Sequence, residues 1–262
     1  MEQSPLGAML REWRARRKVS QLDLALASDI SARHLSFIET GRSAPSTAVV
    51  DRLAHELEMP MRAHNAMRIA AGYAPAHRER PLGDPQMADA RSIVERVLAG
   101  HEPYPAIAVD RAWNLVAGNA ALPVLLAGVA PELLEPPVNV LRVALDPRGI
   151  APRIANFGEW RAHLLARLGA QIDASGDRML MALEEELRAL PSPRTSRPAP
   201  KASGQAIAVP LTLDMPQGRL SLISTTTVFG TPIDLTLSEL AIEVFFPADR
   251  ESAALLASLR QQ

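Results

Sequence analysis

Arg33 and Ser36 stand three positions apart in SARHLSFIE, a segment with the apolar spacing of a short helix, so their side chains fall on one face. A guanidinium and a hydroxyl on such a face are donors and acceptors suited to the base edges in the major groove of DNA. Ala32 and Phe37 share that outer face and offer apolar contact to a thymine methyl, and Ser31 opens the segment. His34 lies to one side, open between a backbone contact and core packing. Arg42, Ser43 and Ser46 surround the start of the next apolar run, where helix N–H groups favour phosphate oxygens. The bland reading of Arg42 is a solvated loop residue.

Catalytic constellations are missing from the rest of the chain. It has no GxxxxGK[ST], HExxH or GxSxG and no glycine-rich dinucleotide turn. His101-Glu102 lacks the second histidine of a zinc site, and Pro103 opposes a helix through that pair. Glu184, Glu185 and Glu186 read as a solvated helix face. With no cysteine, the chain has neither thiolate chemistry nor disulfides. The expectation is a protein that is not an enzyme and holds no metal. An enzyme domain stays open only as a lesser alternative, one that a pocket with paired acids would favour.

The elements that must position the first set are short helices. Leu6, Met9, Leu10 and Trp13 mark the first apolar stripe. In SQLDLALASDISARHLSFIETGR (20–42), Ser20 and Ser31 each stand where a side-chain oxygen can cap a helix. Ala25 is small enough for a close helix crossing, and Leu24, Ile30, Leu35 and Ile38 point inward from both helices. Gly41 ends the third helix, and Pro45-Ser46 begins a fourth carrying Val50, Leu53 and Leu57. Five helices around one small core are expected.

The pattern resembles the Cro and phage-repressor class, so a lambda-repressor-like helix-turn-helix (HTH) domain is expected. Gln21, Glu39 and Gly41 carry the match. The resemblance implies that Gln21 contacts a phosphate and that Glu39 pairs with Arg14 of the first helix, as a structural ion pair. Asp29 departs from the class, which has glycine in the turn; aspartate tolerates the left-handed conformation better than most residues, so the turn is expected to survive.

Charge and composition divide the chain. Residues 1–80 carry 12 Lys+Arg against 9 Asp+Glu, and the remainder 16 against 20, so a mildly basic head precedes an acidic body. The proline- and charge-rich YAPAHRERPLGDP (73–85) reads as an extended connection, which gives domains at 1–74 and 86–262 and a linker at 75–85. No run approaches the roughly 18 apolar residues of a membrane span, and no signal-peptide core opens the chain, so a cytoplasmic protein with no membrane partner is expected.

The second domain reads as α+β. Helical spacing returns at 86–100; YPAIAVD (104–110) and WNLVAGN (113–119) read as strands about a tight turn; VNVLRVAL (138–145) and EWRAHLLARLGAQI (159–172) read as helices. PSPRTSRPAPKASG (191–204) reads as an excursion, followed by strands in AIAVPLTLD, RLSLISTTTVFG and ELAIEVFFP and a last helix from Asp249. The Thr225-Thr226-Thr227 run reads as strand.

SARHLSFIETGRSAPS, RLAHELEMPMRAHNAMRIAAGYAP, HEPYPAIAVDRAWNLVAGNAA, EPPVNVLR and STTTVFGTPIDLTLSELAIEVFFPAD together resemble the MmyB-like regulators. The resemblance implies a PAS-like domain with a mostly antiparallel sheet, a small-molecule effector and apolar or fatty-acyl-like ligands such as a bound fatty acid. Ile107, Val109, Trp160, Leu164, Leu168, Leu222, Val228 and Phe245 could line an apolar cavity, with Asn119, Asn139 and Arg142 as anchors for a polar head. Ordinary core packing is the alternative for each apolar residue, a turn or cap position for Asn119 and Asn139, and an exposed position for Arg142. The expected partners are double-stranded DNA with a palindromic operator and a second copy of the chain, because one small head reads few base pairs; the helix at 86–100 is the candidate dimer contact. A ligand-free dimerisation or protein-docking module is the rival reading of this domain.

Overall fold

The computed structural model describes residues 4–193 and 208–259. The chain falls into two compact units that divide near residue 80.

The first unit contains α1 (Pro5–Arg17), α2 (Gln21–Ala27), α3 (Ala32–Glu39), α4 (Thr47–Glu56) and α5 (Met61–Ala70). Serines cap four of these five, since Ser4, Ser20, Ser31 and Ser46 each accept a backbone N–H of the first turn. Leu10, Leu24, Leu35, Ile38, Val50, Leu53, Leu57 and Met67 fill the core. Gly7 allows α1 to approach α3, because a Cβ there would sit 2.1 Å from the Glu39 carbonyl oxygen. Asp29 holds the turn between α2 and α3 at φ 50°, the left-handed conformation expected of it.

The connection at 73–85 is less extended than its composition predicts. Asn65 of α5 accepts from the N–H groups of Ala76 and His77 at 2.9 Å and donates to the His77 carbonyl at 2.8 Å. Its first half is therefore fastened to the helical unit, as one side-chain amide satisfies three backbone groups.

The second unit contains α6 (Ala88–Gly100), β1 (Ala106–Val109), β2 (Leu115–Gly118), α7 (Pro123–Leu126), α8 (Val140–Leu145), α9 (Phe157–Ser175), α10 (Arg178–Ala189), β3 (Leu211–Met215), β4 (Gly218–Val228), α11 (Leu235–Ser238), β5 (Ala241–Pro247) and α12 (Arg250–Leu259). The five strands pair antiparallel in the order β2-β1-β5-β4-β3. Periodicity predicts this α+β class, and the family resemblance implies the mostly antiparallel sheet. The short helices α7 and α11 carry too few residues for a periodicity and were not expected from the sequence. Residues 194–204 of the expected excursion lie outside the described residues.

Alternation along the strands gives the sheet two apolar faces. Ala106, Ala108, Ile242 and Val244 meet Val94 and Leu98 of α6. Ile107, Val109, Leu211, Leu222 and Phe245 face the larger core with Trp160, Leu164 and Leu168 of α9. Both faces are covered at β1 and β5, so strand residues that would be polar on a solvated sheet are mostly apolar there.

Candidate nucleic-acid interface and internal cavity

Helix α3 is amphipathic over its eight residues, burying Leu35 and Ile38 and leaving Arg33 exposed. Ser31, Arg42 and Ser46 are exposed, while Ala32, His34, Ser36, Phe37 and Ser43 are half-buried. The Arg33 guanidinium lies 5.3 Å from the Phe37 ring centroid, a stacking contact that holds both side chains on the outer face. Ser31 accepts from the His34 N–H at 3.1 Å and Ser46 from the Val49 N–H at 3.4 Å, so both serines cap the helices whose starts they mark.

Behind that face lies an ion-pair network. Arg14 donates to both oxygens of Glu39 at 2.7 and 3.1 Å, and Gln21 donates to the same carboxylate at 3.0 Å. Glu39 is buried, so its charge is neutralised and its lone pairs are occupied by groups from α1 and α2. Gln21 is turned toward this network; the phosphate contact that the resemblance implies would draw on its remaining N–H.

The larger core contains a cavity of about 90 Å³. A site for one water takes about 10–15 Å³, so there is room for several such groups. Trp160 and Leu164 of α9, Ile107 of β1, Phe245 of β5, Leu141 of α8 and Leu125 of α7 are among its walls. Arg167 of α9, Ser224 of β4 and Glu243 of β5 bring polar side chains to it. Arg167 and Glu243 form an ion pair, with the second Nη1–Oε2 contact at 3.3 Å. Thr226 joins them, accepting from Arg167 at 3.0 Å and donating to Glu243 at 2.8 Å. The guanidinium also lies 4.9 Å from the Trp113 ring, whose N–H donates to Gln171 at 2.7 Å. His163, beside Trp160, has its pKa lowered from 6.5 by burial and then by the charge of Arg167, against an opposing pull from Glu243.

Seven of the expected pocket residues and anchors stand elsewhere. Val109, Leu168 and Leu222 are buried in the same core without bordering the cavity, because close-packed neighbours fill the space they face. Val228, at the end of β4, is 62% exposed, where the pleat has run past the covering helices. Asn119 is buried but committed: it accepts from the Ala106 N–H at 3.1 Å and donates to the carbonyls of Leu98 and Tyr104 at 3.2 and 2.8 Å. Arg142 forms an exposed two-bond pair with Glu186, both contacts at 2.7 Å, and that pairing raises its pKa. Asn139 caps α8 instead of facing a ligand. Ile107, Trp160, Leu164 and Phe245 are the sequence candidates that the structure brings together around the void.

The model of the MmyB-like transcription regulator ligand binding domain matches residues 90–259, the stretch that builds this sheet and cavity. The chain belongs to the MmyB-like transcription regulators. A helix-turn-helix model matches residues 10–63 of the MmyB-like chain, the region of the capped helices. It is similar to the uncharacterized HTH-type transcriptional regulator RghRB of Bacillus subtilis (strain 168), 39% identical over 77 residues, which is 29% of this chain and 53% of that relative. The chain thus spans about half the length of the curated relative it matches. Two crystal structures of the clp gene regulator ClgR from Corynebacterium glutamicum align at 33% and 29% identity, over 26% and 38% of this chain and 86% and 93% of theirs, with TM-scores of 0.23 and 0.24.

In this MmyB-like chain, Arg167, Thr226 and Glu243 escaped the sequence reading. Glu243 sits in ELAIEVFF, an acid within an otherwise apolar run, and that was the available signal, since a carboxylate in a buried strand demands a partner. Among the described residues no helix is long and apolar enough to cross a membrane, and no cluster of three or more His, Cys, Asp or Glu could hold a metal ion.

Proposed function

We propose that the chain is a sequence-specific DNA-binding regulator of transcription that acts as a cytoplasmic homodimer and responds to a small, mostly apolar effector. In this reading residues 1–74 bind DNA, 75–85 connect, and 86–262 receive the effector. Arg33 and Ser36 read base edges, with Ala32 and Phe37 beside them. Ser31, His34, Arg42, Ser43, Ser46 and Gln21 hold the backbone. The observation that carries the reading is the outer face of α3, where Arg33 is exposed and stacked on Phe37 while Leu35 and Ile38 anchor the helix from behind. Ile93 and Val97, exposed on α6, supply the apolar surface for a dimer contact.

The cavity counts against the rival of a filled docking module, because well-packed interiors leave few voids larger than a water molecule. The reading gives the second unit no catalytic step, and turnover of a co-purified compound would oppose it.

Selection of bound sequences from a random DNA library tests the first part. The expected product is a near-palindrome with half-sites about one helical turn apart. Failure to enrich any sequence, or a monomer on and off DNA by light scattering, would sink the scheme. Native mass spectrometry of the purified protein tests the second part through any molecule released on denaturation. Adding that molecule back should change operator affinity about 5- to 150-fold.

A further inference from the structure

Resting on that reading of the second unit as a small-molecule receptor, we infer that its cavity takes an uncharged, mostly apolar molecule with one hydrogen-bonding oxygen and discriminates against carboxylates. The walls are apolar apart from the contributions of Arg167, Ser224 and Glu243. An arginine at an apolar cavity would ordinarily suggest an anionic ligand. Here the guanidinium is already neutralised by Glu243 at close range, braced by Thr226 and stacked on Trp113. The Glu243 side chain is 4% exposed and cannot turn to water. A ligand carboxylate would compete with it for one guanidinium, placing two carboxylates together or leaving a buried charge without its partner. Both outcomes are unfavourable because Glu243 is buried.

A neutral ligand meets no such obstacle, and the site offers it hydrogen bonds. Ser224 pairs with Phe245 across the sheet as Thr226 pairs with Glu243, which places the Ser224 hydroxyl on the same face as the ion pair and at the cavity. The indole N–H of Trp160, a residue of the cavity wall, is buried and has no partner among the described residues. Such a donor favours an acceptor oxygen, as in an alcohol, ketone or ester. The sum is a receptor in which the lining charges Arg167 and Glu243 are already paired with each other and the remaining polarity suits a neutral oxygen.

The test is calorimetry on the full chain, freed of co-purified ligand, near pH 8 with three matched probes: hexanoate, methyl hexanoate and 1-hexanol. The ester and the alcohol should bind at least about tenfold tighter than the carboxylate. Glu243→Gln keeps the shape of the side chain and removes the competing charge, so hexanoate should gain about tenfold or more relative to its ester. Circular dichroism establishes that this variant is folded, and the comparison on the unaltered protein decides alone if it is not. Hexanoate binding the unaltered protein as tightly as its methyl ester, or a ratio unmoved in folded Glu243→Gln, overturns the neutral-ligand inference and leaves the receptor reading standing. Absence of binding by all three probes removes the receptor reading for ligands of this size, and the inference with it.

Discussion

Arg14 and Glu39 join α1 to α3 through a two-bond ion pair of 2.7 and 3.1 Å, with Glu39 only 4% exposed. The carboxylate also receives Gln21, so one buried charge gathers three helices behind the outer face of α3. Removing Glu39 would strand the Arg14 guanidinium, which is 17% exposed, against an apolar core. Glu39→Ala should therefore lower the stability of the helical unit by about 3 kcal/mol. The check is the urea midpoint of the transition in helical ellipticity. An unchanged midpoint would mean that the network positions helices without stabilising them.

Arg33→Ala should weaken binding to the selected operator by about 1–3 kcal/mol and relax the preference at one base position. Arg42→Ala, at a phosphate-facing position, should weaken all sequences alike and flatten the salt dependence. Fluorescence anisotropy over a salt series distinguishes the two. Equal loss of discrimination in both variants would show that the register assigned to α3 is wrong.

Asn119 satisfies one N–H and two carbonyls around the start of β1. Asn119→Ala leaves these buried groups without their partner and should destabilise the second unit by about 2–3 kcal/mol, whereas Val228→Ala on the exposed strand end should stay within about 0.5 kcal/mol. Thermal melts of both variants against the parent decide this. A ligand-anchoring role for Asn119 would instead show as lost binding with the melt unmoved.

His64 bridges Asp51 at 2.7 Å and His77 at 3.1 Å, and Arg68 clasps Asp51 at 2.8 and 3.0 Å. Burial lowers the pKa of His77, and the charges of His64 and Arg68 lower it further, while Asp51 pulls the other way. The folded protein then binds fewer protons at His77 than the unfolded chain does. Its contribution to stability is full above the unfolded value near 6.5 and is lost as pH falls through the lower folded value. Burial raises the pKa of Asp51, but hydrogen bonds and charge from His64 and Arg68 outweigh it, so Asp51 adds its own loss only below 3.8, the ordinary value of the group. Protection of the Ala76 and His77 amides against hydrogen exchange, corrected for intrinsic rates, should drop as the pH falls below 6.5, the ordinary value for histidine. His77→Gln should flatten that drop. An equal drop in the variant would place the titration elsewhere.

Much of the helical unit was legible in the chain because its signals are local. Ser20, Ser31 and Ser46 mark helix starts by chemistry that acts within three residues, and the apolar spacing of Leu24, Leu35, Ile38 and Leu53 specifies which faces turn inward. The strands of the second unit were readable in the same way, from β-branched and apolar runs broken by turns. The cavity was not. Whether Leu164 borders a void and Leu168 does not depends on how closely sheet, α7 and α8 approach one turn of α9, and no residue type encodes a gap between elements.

Charge partners followed the same rule. The Arg14–Glu39 pair was expected only from the resemblance to a known class, since its members lie 25 positions apart. Arg142 looked like an anchor for a ligand and is satisfied by Glu186, 44 positions away, at the surface. Arg167 drew no notice in a helical stripe, yet it meets Glu243 across 76 positions and sets the electrostatics of the cavity. Sequence alone determined most of the elements, the caps at Ser20, Ser31 and Ser46 and the buried faces of the longer helices, because propensity and periodicity act over a few residues. Tertiary structure alone decided which charges cancel and where the interior stays open, because Coulomb attraction and packing depend on distances that the chain acquires only by folding.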